Sequence, residues 1–201
     1  IGDGLDSSSG FSNSGALFAI SGRSGTSHWI ARGQSVNEFL GMCQPASDVT
    51  GDGYSEVYST RAIWGSSAPS FVVDLRNGRS GSRLRTYSSP SPTWFASIGD
   101  LDDDGIRDLV FVDGEWPHTS RFNMVGRIEI RSGATDTLIH SFTGPNYPER
   151  FTNVMSAGDI DADGYDDLYV GQAGDWPYVA SFGFSVYSGR PPYSLLLRIP
   201  Y

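Results

Sequence analysis

The stretch Ser156–Gly171, SAGDIDADGYDDLYVG, constrains this chain more than any other, because it recurs. A near-copy, SIGDLDDDGIRDLVFVDG, spans Ser97–Gly114, and a looser one, ASDVTGDGYSEVYS, begins at Ala46. Each copy holds a nine-residue loop with oxygen-bearing side chains at positions 1, 3, 5 and 9 and glycine at position 6. In the last copy these are Asp159, Asp161, Asp163 and Asp167, with Gly164 among them. The middle copy has Asp100, Asp102, Asp104 and Asp108 with Gly105, and the first has Asp48, Thr50, Asp52 and Glu56 with Gly53.

Carboxylates crowded this closely repel one another unless a cation sits among them. Calcium takes six to eight oxygens at about 2.3–2.6 Å, and glycine at position 6 permits the sharp reversal that wraps a loop around such an ion. Position 7 (Tyr54, Ile106, Tyr165) would offer only its backbone carbonyl, so an apolar side chain does no harm there. The alternative is a set of Asx-type turns whose carboxylates bond local amides without metal. Three copies with glycine in register favour Ca2+, with two strong sites in the last two loops. The Asp48 loop, with three carboxylates and Thr50, is expected to be weaker, because affinity follows ligand charge.

The first half of each loop reads like an EF-hand, but the second half does not. An EF-hand needs glutamate at position 12 and a following helix. Here position 9 leads straight into Leu109-Val110-Phe111-Val112 or Leu168-Tyr169-Val170, which are strand-like runs. The sequence therefore places the loop inside a β-hairpin.

A second periodicity runs alongside the first. Strand-like segments end in turns at Ser21-Gly22, Asn77-Gly78, Ser132-Gly133 and Ser188-Gly189, with glycine spacings of 56, 55 and 56. Such a period marks a repeat architecture. Each unit supplies four strands, in one unit Trp94–Gly99, Asp108–Val112, Gly126–Arg131 and Thr137–Phe142. The second is continuously apolar, as for a strand covered on both faces. The third alternates, Arg127-Ile128-Glu129-Ile130-Arg131, which predicts one exposed face. The predicted fold is all-β, built of four-stranded antiparallel β-propeller blades. The units are a second half of a blade at 1–35, then blades at 36–90, 91–145 and 146–201, about three and a half blades of a larger propeller. Closed propellers have four to eight blades, so the remaining blades are expected from flanking sequence or another chain.

Composition narrows the function. Net charge is −9, yet the ligand positions of the loops hold eleven of the 23 acidic residues, and three divalent cations would leave about −3. This argues against a nucleic-acid partner, which requires a basic face. No apolar run approaches the ~20 residues of a membrane span. The chain begins at Ile1 with no signal peptide in view, so any targeting segment is expected to have been removed or to lie outside this stretch. The single cysteine, Cys43, lies in the apolar run Phe39–Cys43 and reads as core.

The D-x-D-x-D-G-x-x-D motif followed by an apolar strand, complete at Asp100–Asp108 and Asp159–Asp167, resembles the FG-GAP repeat family, the calcium-binding blades also found in integrin alpha-subunit propellers. The likeness covers essentially the whole chain. Asp48–Glu56 departs from it at Thr50 and Glu56, and the FG and GAP triplets are eroded to Arg150-Phe151 and Gly171-Gln172-Ala173, as in a bacterial-type relative. The resemblance implies a secreted or surface protein, often in adhesion or carbohydrate contexts, usually with seven blades.

The expected function is a calcium-stabilised extracellular binding, adhesion or scaffold module without enzymatic activity, since no histidine lies near the loops. One alternative is a carbohydrate-active propeller, either a lectin or a polysaccharide lyase using His118, Arg121 and Glu115. Another is a structural subunit of a surface layer or filament. Trp64, Trp116 and Trp176 fall eight or nine residues after the loops' last ligands, between second and third strands. They are candidate anchors for a protein or carbohydrate ligand, with Glu115, His118, Asp175 and Tyr178 at the rim.

Overall fold

The computed structural model of the chain describes residues 1–64, 69–87, 94–114, 125–144, 149–174 and 182–199. Among them every regular element is a strand. The first sheet joins β1 (Gly2–Asp3), β2 (Ala16–Ile20) and β3 (Ser27–Arg32). The second joins β4 (Cys43–Pro45), β5 (Val57–Trp64), β6 (Pro69–Arg76) and β7 (Arg83–Tyr87). The third joins β8 (Trp94–Ser97), β9 (Leu109–Asp113), β10 (Arg127–Arg131) and β11 (Leu138–Thr143). The fourth joins β12 (Glu149–Gly158), β13 (Asp167–Gly174), β14 (Phe182–Tyr187) and β15 (Leu195–Ile199). Every neighbouring pair within a sheet is antiparallel, so each sheet is a meander of propeller-blade form. One three-stranded and three four-stranded sheets make up the three and a half blades of the repeat.

The repeat extends to a detail the sequence did not announce. Each sheet has a register shift between its last two strands, at Ala19/Ile20, Leu75/Arg76, Ile130/Arg131 and Val186/Tyr187. It falls just before the Ser-Gly or Asn-Gly turn each time. A bulge there adds twist and re-aims the turn, which becomes important at the acidic loops.

The chain divides into two compact units, Ile1–Ser91 and Pro92–Tyr201. In the second unit the third and fourth sheets share an apolar core. Val110, Val112, Ile128 and Ile130 pack with Phe151, Val154, Leu168 and Val170, all with 0% exposure. Trp94 donates its indole N–H to the Val154 carbonyl at 3.1 Å. Phe142 of β11 meets Phe151 edge-on at 5.7 Å and Tyr187 at 4.8 Å, and His140 stacks on Tyr193 at 4.2 Å. His140 is thus a packing residue, and removal from water pulls its pKa below the ordinary value.

The first unit uses a more polar solution. Register puts Val57, Ser59, Asp74 and Arg76 where the fourth sheet has Leu168, Val170, Ser185 and Tyr187. The buried Asp74 carboxylate takes the Arg61 Nε at 2.6 Å and the Thr86 hydroxyl at 2.5 Å, and Arg76 bonds Ser59 at 3.0 Å. Trp29, the register equivalent of His140, donates its indole N–H to the Gly78 carbonyl at 2.8 Å. Cys43 is only half-buried, at the start of β4.

The alternation in β10 does not produce an exposed face. Glu129 is buried, with Arg127 and Arg131 flanking it as ion-pair partners that offset the cost of removing its charge from water. The continuously apolar β9 is buried at every residue.

Phe151 sits where β12 meets both aromatic contacts, so its truncation tests the shared core. Phe151→Ala should cost about 3–5 kcal/mol, read as a lowered midpoint in urea unfolding followed by near-UV circular dichroism.

Candidate metal centres

The three acidic loops connect the first and second strands of the second, third and fourth sheets. Their bases are closed by backbone bonds: Ala46 N–H to Glu56 O at 2.9 Å, Ile98 N–H to Asp108 O at 2.9 Å, and the Gly158–Asp167 pair. Within each loop the position-1 carboxylate acts as the organiser. Asp48, Asp100 and Asp159 each accept the N–H of position 5 on Oδ1 at 3.0–3.1 Å, and that of the position-6 glycine on Oδ2 at 2.7–3.0 Å. The glycines at position 6 have φ of 84°, 86° and 97°. Position 4 is also left-handed, at Gly51, Asp103 and Ala162. The sequence pattern marks position 6 and is silent on position 4.

The position-9 carboxylates are the most buried acids in the loops, with Glu56 at 1% exposure and Asp108 and Asp167 at 0%. One oxygen of each accepts the N–H of position 2 (Val49, Leu101, Ile160) at 2.6–2.8 Å. In the last two loops the other oxygen accepts the N–H of a turn glycine, Gly133 at 2.9 Å or Gly189 at 3.1 Å. A Cβ at Gly78 or Gly189 would stand 1.9 or 2.0 Å from a loop carbonyl, so only glycine lets the turn approach this closely. The position-5 acids bond position 7 and the turn together. Asp52, Asp104 and Asp163 accept the N–H of Tyr54, Ile106 and Tyr165 at 2.8–3.0 Å. They also accept the side chains of Asn77, Ser132 and Ser188 at 3.1–3.4 Å.

Asn77, Ser132 and Ser188 are the residues that the motif search missed as part of the site. Their signal was in view, since each immediately precedes a glycine of the second periodicity. The looser loop is wired differently. The Thr50 hydroxyl donates to Glu56 Oε1 at 2.9 Å, and Asn77 reaches the same oxygen at 3.5 Å.

Ligand oxygens of Asp48, Asp52 and Glu56 lie within 4.8 Å of one another. So do those of Asp100, Asp102 and Asp108, and those of Asp159, Asp161 and Asp167. These groups are suited to hold a metal ion. Asp104 and Asp163 stand outside the last two groups, held by their serines. The donor set passes a chemical test for a hard cation. All donors are oxygens, and among the described residues no arginine forms an ion pair with Glu56, Asp108 or Asp167. Removal from water raises Asp102, with Asp104 as the next cause, and raises Asp161, with Asp163 and Asp167 next. Burial pushes Asp108 up to about 7, against its two backbone amides. Burial first, and shared negative charge second, disfavour the ionised form of these carboxylates, and a bound cation would offset both.

The tryptophan surface expected from sequence is only partly in view. Trp64 is the last residue of β5, paired with Pro69, and so ends a strand instead of lying in the following loop. Trp116 and Trp176 lie outside the described residues, as do Glu115, His118, Arg121, Asp175 and Tyr178. A scan of family models finds no match to the chain, and a search of curated proteins finds none.

Two measurements test this geometry. The left-handed positions predict opposite outcomes for opposite swaps two residues apart. Gly164→Ala should lose about 1–2 kcal/mol, while Ala162→Gly should be neutral or up to about 1 kcal/mol more stable, both read by thermal melting. The raised Asp108 pKa gives a pH dependence. A proton bound more tightly by the folded state stabilises it at low pH, and that contribution is lost as pH rises through about 7. In chelator the melting temperature should therefore fall between pH 5 and pH 7.5, and added divalent cation should raise it more at pH 7.5 than at pH 5.

Proposed function

We propose that the chain is a calcium-stabilised binding or scaffold module built from FG-GAP-like blades, and that it works outside the cell. The observation that carries this reading is the threefold recurrence of one arrangement. Three sheets place a cluster of acidic side chains at the same strand connection, each with a buried position-9 carboxylate that has no arginine ion-pair partner among the described residues. Asp100, Asp102 and Asp108, then Asp159, Asp161 and Asp167, would hold the stronger ions, and Asp48, Asp52 and Glu56 the weaker. The ions would brace hairpins and perform no chemistry. An extracellular setting supplies calcium at levels that fill even modest sites. The module would engage a protein or carbohydrate ligand, and further blades would come from flanking sequence or another chain.

Calcium titration into chelator-treated protein, followed by calorimetry and melting, tests the proposal. A ligand of the folded state stabilises it by about 2.7 kcal/mol at a hundredfold excess over its dissociation constant, so a melting temperature indifferent to calcium would end it. Asp102→Asn separates a metal site from a purely hydrogen-bonded turn. Without calcium it should be as stable as the parent or more so, because it removes a carboxylate that its neighbours repel. With calcium it should gain less than the parent. A turn without metal predicts no calcium-dependent difference between the two.

A further inference from the structure

In the second and third sheets an arginine ties the turn that caps the acidic loop to a buried acid of the sheet. It is the last residue of the third strand, Arg76 of β6 and Arg131 of β10, and in both it falls at the register shift. Arg131 donates from Nε and Nη2 to Glu129 Oε2 at 3.0 and 2.9 Å, and from Nη1 to the Asp136 carbonyl at 3.1 Å. Arg76 repeats the arrangement. Its Nη2 lies 3.6 Å from Asp74 Oδ2, and its Nη1 donates to the Gly81 carbonyl at 3.2 Å. Both side chains are largely covered, with 9% and 16% exposed for Arg76 and Arg131.

Asp136 and Gly81 are the residues that close these turns. Both are left-handed, with φ of 65° and 72°. Each donates its N–H back to the residue that begins the turn, Asp136 to the Ser132 carbonyl at 2.9 Å and Gly81 to the Asn77 carbonyl at 2.8 Å. Ser132 and Asn77 hold the position-5 acids Asp104 and Asp52, and Gly133 holds Asp108. Polar contacts thus run from a buried acid, through the guanidinium and the turn, to the acidic loop. The two chains are Glu129–Arg131–Asp136–Ser132–Asp104 and Asp74–Arg76–Gly81–Asn77–Asp52. The fourth sheet has Tyr187 in place of the arginine, packed against Phe142 at 4.8 Å.

We propose that Arg131, and Arg76 at the looser loop, are positioning residues of the cation centres, an inference that rests on reading the loops as cation sites. Neither is a ligand. Each fixes the turn that orients the position-5 and position-9 acids, so that less ordering remains to be done when an ion binds. Groups that orient ligands in this way change metal affinity by about tenfold to a hundredfold when removed. Arginine suits the task because its planar fork spans two acceptors in a fixed geometry, which a lysine ammonium does not. The competing role is charge neutralisation of the buried acid alone. Each acid has a second arginine, however. Glu129 also pairs with Arg127, and Asp74 with Arg61 at 2.6 Å. A charge-neutralising arginine would therefore leave the loop's affinity for cations unchanged when replaced.

Amide NMR of the whole chain through a calcium titration, with Arg131→Met and Arg131→Lys, tests the proposal. The position-6 glycines report the two centres separately, Gly105 for the third sheet and Gly164 for the fourth. In both variants the calcium midpoint at Gly105 should rise by about tenfold or more, while that at Gly164 moves far less. Without calcium, the Gly133 amide held by Asp108 should lose protection from hydrogen exchange, and the Gly189 amide held by Asp167 should keep its own. Arg131→Lys keeps a positive charge beside Glu129, and so carries the test should Arg131→Met not fold. An unchanged Gly105 midpoint overturns the proposal, as does unchanged protection at Gly133, since the arginine then only pairs charge. Equal weakening at Gly105 and Gly164 also overturns it, because that is general destabilisation. These three results leave the cation reading of the loops standing. A parent in which neither Gly105 nor Gly164 responds to calcium overturns that reading and this proposal together.

Discussion

The buried carboxylate at the ninth loop position is the interaction on which each blade depends. Asp108 and Asp167 each divide their two oxygens between an amide of their own loop and the amide of a turn glycine more than twenty residues later. One side chain thereby fixes the connection between first and second strands to the connection between third and fourth. Charge-assisted bonds of this kind are stronger than neutral ones, but a carboxylate removed from water without a cation remains costly. The same loop gathers two further acids within 4.8 Å. A cation held by this group would therefore couple its occupancy to local stability through a single residue.

This coupling explains why two periodicities run through the chain at one period. The acidic loop and the Ser-Gly turn are distant in sequence but adjacent at one end of each sheet. The bulge before the turn directs it toward the loop, glycine permits the close approach, and the preceding Ser or Asn bonds the position-5 acid. Neighbouring blades are joined through the same parts. The Tyr165 hydroxyl donates to Asp103 at 2.8 Å, and Arg107 pairs with Asp166 at 3.8 Å, linking the loops of the third and fourth sheets. A change in one loop is thus felt by its neighbour within that unit.

Much of this was legible in the residues. The order and approximate limits of the strands followed from the repeat, because a short apolar run after an acidic loop has few other solutions. The acidic clusters followed from the spacing of their side chains, although Asp104 and Asp163 stand outside the last two. What escaped was decided by contacts distant in sequence. Alternation in β10 suggested an exposed face, yet Glu129 is buried, since two arginines on its own strand supply its partners. The polar packing in the first unit was invisible for the same reason. Ser59, Asp74 and Arg76 are spread over two strands, and only the fold reveals that Arg61, Arg76 and Thr86 converge on one aspartate. The glycine after Asn77, Ser132 and Ser188 marks each as a turn residue, but only the approach of the turn to the acidic loop shows which acid it bonds.

The loop that departs most from the motif shows how far the arrangement bends. Thr50 replaces an aspartate, Glu56 replaces another, and the turn residue is Asn77 where the other loops use serine. These three differences meet at one atom. The longer glutamate brings Oε1 to the Thr50 hydroxyl, and Asn77 reaches it with its amide. Two neutral donors thus serve an oxygen that in the other loops accepts a turn-glycine amide. Thr50 also removes one charge from the group, so less mutual repulsion remains for a cation to relieve. The loop keeps its fold by hydrogen bonds that the other two lack. On the proposed reading its dependence on metal would be correspondingly smaller, although its backbone follows the same left-handed turns at Gly51 and Gly53.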